Sequence, residues 1–83
     1  MRLLQVTDTA SGRPTTIKVK RVGYSDGSSD LVIHQIEGVY DTEEDFDREW
    51  NTKPDEEGFV NFMSLGLQDS RKLVNALIEE IRG

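Results

Sequence analysis

Apolar and polar residues alternate with a period of two through the first part of the chain and with a period near 3.6 through its last quarter. A run of acids separates the two regions. From Thr15 to Tyr24, Ile17 and Val19 fall on one side with Arg21, while Thr16, Lys18, Lys20, Val22 and Tyr24 fall on the other. This is the signature of a half-buried strand. Leu3 to Thr7 is a shorter apolar-rich strand, ended by the Gly and Pro of Thr9-Ala-Ser-Gly-Arg-Pro14. Asp26-Gly27 between two β-rich runs predicts a hairpin, because both residues tolerate positive φ. Leu31 to Ile36 is then a third strand, antiparallel to the second, with a bulge or bend at Glu37-Gly38.

Beyond Tyr40 the period changes. Thr42-Glu-Glu-Asp45 has the form of a capping box with Asp in place of Glu or Gln, which predicts a short helix over 43–51. Phe46 and Trp50 lie on one edge of that helix, Glu43 sits beside their stripe, and the remaining acids spread over the opposite side. Lys53-Pro-Asp-Glu-Glu-Gly58 reads as an exposed loop. Phe59 to Leu65 alternates as a fourth strand. Gly66 is an acceptable N-cap for a helix running to about Arg82, and Asp69 in its first turn complements the dipole. On that helix Leu67, Leu73, Val74, Leu77, Ile78 and Ile81 occupy an arc of about 140°, wide enough to cover a sheet. The expected fold is α+β: a four-stranded antiparallel meander, a C-terminal helix on one face, and a short acidic helix or loop inserted before the last strand. The 83 residues are expected to form a single domain, with a three-stranded portion over 1–36, the acidic insertion over 37–58, and a strand plus helix over 59–83.

Charge changes this picture more than composition does. Ten of the sixteen carboxylates lie between Glu37 and Gly58, giving that segment −8, whereas residues 1–36 carry +2 and residues 59–83 balance, for a total of −6. Charge so localised bears on partners and solubility. The chain has no Cys, which excludes disulfides, thiolate metal sites and a cysteine nucleophile and fits a reducing compartment. The N-terminal residues lack the apolar core of a signal peptide, and no run approaches a membrane span, so a cytoplasmic location is expected.

Catalysis has few candidates. His34 is the only histidine, and no nucleophile or orienting residue accompanies it in a recognisable signature. EF-hand loops begun at Asp26 or Asp41 lack the required Gly and Glu positions, and the glycines match no phosphate-binding fingerprint. The expectation is a non-enzyme with no catalytic residues, no metal and no cofactor.

Two surfaces remain as binding candidates. The first is acidic: Asp41, Glu43, Glu44, Asp45, Asp47 and Glu49 put six carboxylates on about 13 Å of helix axis. Duplex DNA shows about eight phosphate charges over that length. Such a surface suits the basic groove of a nucleic-acid-binding protein, with Phe46 and Trp50 as anchors. The second is the outer side of strand two, where Lys18, Lys20 and Tyr24 project together, the minimum for holding a single nucleic-acid strand. Gly58-Phe-Val-Asn-Phe-Met-Ser-Leu65 leading into Gln68-Asp-Ser-Arg-Lys-Leu-Val-Asn-Ala-Leu77 also resembles the transcriptional-coactivator family of single-stranded-DNA binders, which implies that same activity. The favoured expectation is a small acidic regulatory protein, for example a phage-type inhibitor acting as a nucleic-acid mimic on a protein with a basic surface. The alternatives are a single-strand-binding module and a homodimeric interaction domain joined at a sheet edge.

Overall fold

A computed structural model describes residues 2–52 and 63–83 of the chain. Strands β1 (Arg2–Thr7), β2 (Pro14–Gly23) and β3 (Ser29–Glu37) are followed by helices α1 (Glu43–Thr52) and α2 (Leu67–Arg82). The strands form an antiparallel sheet in the order β1-β2-β3, with Leu4 opposite Ile17 and Ile17 opposite Gln35. The β2–β3 hairpin closes through Tyr24 N–H to Ser28 O at 2.9 Å, with Gly27 at φ +89°, a conformation that costs glycine little. At the far end of β3, Gly38 adopts φ +116° as its N–H donates to Pro14 O, and a Cβ there would meet the Tyr40 ring at 3.3 Å.

The expected α+β class holds, with three strands among the described residues in place of four. Most of the fourth strand expected over 59–65 lies outside those residues. Its described end forms a single antiparallel bridge between Leu65 and Asp8, beside β1, with Thr9 N–H donating to Ser64 O at 2.8 Å. The Asp8 carboxylate accepts from the backbone N–H groups of Ser64 and Ala10, and these bonds hold its pKa below the usual carboxylate value. Asp69, in the first turn of α2, accepts from Thr7 N–H at 3.0 Å and so joins the start of that helix to the end of β1.

Alternation in β2 sends its side chains to two different layers. Ile17 and Val19 join Val6 and Ala76 in a core bordered by Leu4, Met63, Leu65, Leu73 and Leu77. This is the α2 side. Thr16 and Lys18 point the opposite way, toward α1, which lies across the sheet from α2. Helix α1 is therefore a third layer packed on the sheet. The apolar arc of α2 is only partly used: Ala76 is buried and Leu73 and Leu77 are half-buried, but Leu67, Val74, Ile78 and Ile81 remain exposed. These four lie about 80° to 140° around the helix from Leu73, at 100° per residue, so the arc is wider than the surface that receives it.

Candidate functional site

Helix α1 begins where the sequence places it. Thr42 Oγ1 accepts from Asp45 N–H at 3.2 Å, the side-chain half of the expected cap, and three acids occupy the first turn. Two residues hold it to the sheet. Phe46 has no exposed surface, lies edge-on to Tyr40 at 6.0 Å, and is followed one turn later by Trp50. Trp50 stacks on His34 of β3 with centroids 4.0 Å apart and planes within 5°. The loop before α1 is stapled to β2 by Thr16, whose hydroxyl donates to Gly38 O at 2.9 Å and accepts from Tyr40 N–H at 3.1 Å.

The two surfaces separated in the sequence are one contact in the structure. Lys18, 7% exposed, lies beneath α1 and donates to Asp47 at 2.6 Å and to Glu43 at 3.2 Å. Burial disfavours its ammonium, yet the bonds to Asp47 and Glu43 and their charge outweigh that and hold its pKa above the ordinary lysine value. Glu43 and Asp47 are one turn apart and flank the Phe46–Trp50 stripe, so a single buried cation is matched by two carboxylates from one helix edge. His34 sits beside Lys18 in the pairing register. Its pKa is lowered, first by burial and then by the Lys18 charge, with Asp47 pulling weakly the other way.

The residues expected on the acidic surface thus divide. Glu43 and Asp47 are engaged inward with Lys18, and Phe46 is enclosed, which leaves Trp50 as the aromatic with some exposed area. Asp41, Glu44 and Asp45 are exposed and Glu49 is half-buried. Asp41 accepts from Gln5 Nε2 at 3.1 Å, and Arg48 reaches Glu44 and Asp45 in pairs open to solvent, which contribute little net energy. Of the basic stripe, Lys20 is exposed, Lys18 is covered by α1, and the Tyr24 hydroxyl donates to Asp30 at 2.8 Å, an acceptor that raises its pKa.

The signal for this arrangement was present in the sequence as an i, i+4 acid pair bordering an aromatic stripe. Acids at the edge of a docked helix require cations on the surface that receives it, and Lys18 is the residue that strand periodicity puts there. Among the described residues, no cluster of three or more His, Cys, Asp or Glu is arranged to hold a metal, and no helix is long and apolar enough to cross a membrane. Comparison with protein-family models, with curated proteins and with solved structures gave no match, so the resemblance drawn from residues 58–77 gains no support there.

Proposed function

We propose that the protein acts by binding, without catalysis, presenting the outward side of α1 to a basic surface on another macromolecule. The observation that carries this is the docking of α1 itself. Phe46 and the Lys18 pair fix the helix with Glu44 and Asp45 exposed on its outward side, Glu49 half-buried beside them and Asp41 exposed just before its first turn. A charged surface held in place before encounter avoids the ordering cost of a flexible acidic tail. Long-range attraction from a localised negative field raises association rates and weakens with salt. A protein whose basic groove tracks nucleic acid is the partner class this surface suits, and regulation by occupying that groove is the corresponding activity.

The test is charge reversal at positions that take no part in the Lys18 pair. Glu44→Lys with Glu49→Lys reverses the outward face and leaves the Lys18 pair untouched. Asp47 is unsuitable, because reversing it would bury two cations together. The double variant should melt as the parent does and lose capture of basic nucleic-acid-binding proteins from a lysate, with single-stranded oligonucleotide competing for the parent's capture. Unchanged capture by the double variant would refute the reading. A single-strand-binding role through Lys18, Lys20 and Tyr24 would need α1 to leave the sheet.

A further inference from the structure

The unused part of the α2 arc lies on the side of β3, at Leu31 and Ile33. β3 is the outer strand of the sheet among the described residues. Tyr24 N–H to Ser28 O at one end of the hairpin ladder and Gly38 N–H to Pro14 O at the other place the β2-facing backbone groups of β3 on its even-numbered residues. The N–H and C=O groups of Leu31 and Ile33 therefore point outward. Their side chains share the sheet side of Val19 and α2, with Leu31 36% and Ile33 49% exposed. Arg2 of β1 pairs with Glu79, so the opposite flank of α2, with Val74, Ile78 and Ile81, is turned toward the β3 side of the sheet. Ile81 and Leu31 line one shallow cavity together with Arg21. The strand carries no Lys, Arg or Pro of the kind that commonly blocks edge pairing.

We propose that this face joins a second copy of the chain, β3 to β3 and antiparallel about a two-fold axis through Val32, giving a continuous six-stranded sheet. That register is self-complementary. Leu31 falls opposite the second copy's Ile33, Val32 opposite its own equivalent, and Asp30 opposite His34, so apolar meets apolar and no like charges oppose. It also turns the exposed flanks of the two α2 helices toward each other above the joined strands. The overlap in this register is about 24 Å long, the seven residues 29–35 at ~3.4 Å each, and about 20 Å deep, a sheet plus one helix layer. This offers about 480 Å² per copy, the size of a weak, transient interface. The occupant fits the charge as well, since α1 lies on the other side of the sheet, away from the apolar flank.

Light scattering of the full chain from about 10 μM to about 1 mM should show the mass rising from one 83-residue chain toward two. Because each copy carries −6, added salt should strengthen association. Ile33→Lys and Ile78→Glu alter side chains that are 40% exposed or more, so each should leave the monomer folded by circular dichroism and weaken association at least tenfold. The chain has no native cysteine, so Val32→Cys is a clean reporter. At the axis this position forms a non-hydrogen-bonded pair with Cα atoms about 4.5 Å apart, within disulfide range, and should cross-link on mild oxidation. A mass that stays at one chain throughout, with the face then left to a strand from another protein, overturns the proposal. So does a dimer indifferent to Ile33→Lys, or one in which Val32→Cys fails to cross-link.

Discussion

Thr16 has no exposed surface, and its hydroxyl serves two backbone groups at once, donating to Gly38 O and accepting from Tyr40 N–H. Thr16→Val keeps the shape of the side chain and strands both partners, which should cost about 2 kcal/mol in denaturant unfolding. Thr16→Ser, retaining the hydroxyl, should recover most of that loss, and an unchanged Thr16→Val midpoint would show that the staple is energetically idle. His34 makes a pH-dependent contribution of definite sign. Its folded pKa lies below the ordinary 6.5, first because of burial and then because of Lys18, so the unfolded chain takes up the proton at a higher pH than the folded one does. Stability is full above about 6.5 and is lost as pH falls through the folded value. Thermal melts between pH 7.5 and 5.5 should therefore decline, and His34→Phe, which keeps a ring against Trp50, should flatten the decline. A variant that tracks the parent across that range would assign the effect elsewhere.

At the scale of elements, α1 is the piece whose existence depends most on its neighbours. Ten residues form a marginal helix in isolation, and this one is bound to the sheet through Phe46, Trp50 and the Lys18 pair. Phe46→Ala should remove about 3 kcal/mol or more of docking energy. If α1 is a separately opening unit, its loss leaves the Val6–Ile17–Val19–Ala76 core in place. Trp50 fluorescence should then change at lower denaturant than the circular dichroism of the sheet and α2. Coincident transitions would instead make α1 part of one cooperative unit. The three strands, the hairpin turn at Asp26-Gly27, the α1 cap at Thr42 and both helix extents were legible in the sequence, because each is set by local period or local backbone chemistry. The destination of α1 was not legible in the same way. Helical periodicity marks the Phe46–Trp50 edge as buried but carries no information on which sheet face receives it. The sequence therefore presents the acids beside Phe46 as free surface, whereas Glu43 and Asp47 are paired with Lys18.

The whole molecule sets its two proposed surfaces apart, with the acidic side of α1 over one sheet face and the apolar flank of α2 and β3 over the other. Salt separates them experimentally: capture through the acids weakens as ionic strength rises, whereas association through the apolar edge strengthens once repulsion between two −6 chains is screened. Sequence alone determined the α+β class, the pairing of consecutive strands, the amphipathic C-terminal helix and the concentration of carboxylates between 37 and 58. All of these follow from periodicity, turn chemistry and composition, which act over a few residues. Only the tertiary structure decided that Lys18 of β2 is paired by two acids of α1, that Phe46 is enclosed, and that four of the six residues of the α2 arc stay exposed. Those outcomes rest on which elements meet and how much area each offers. Desolvation of Lys18 and incomplete coverage of Ile33, Ile78 and Ile81 arise only when the layers are assembled.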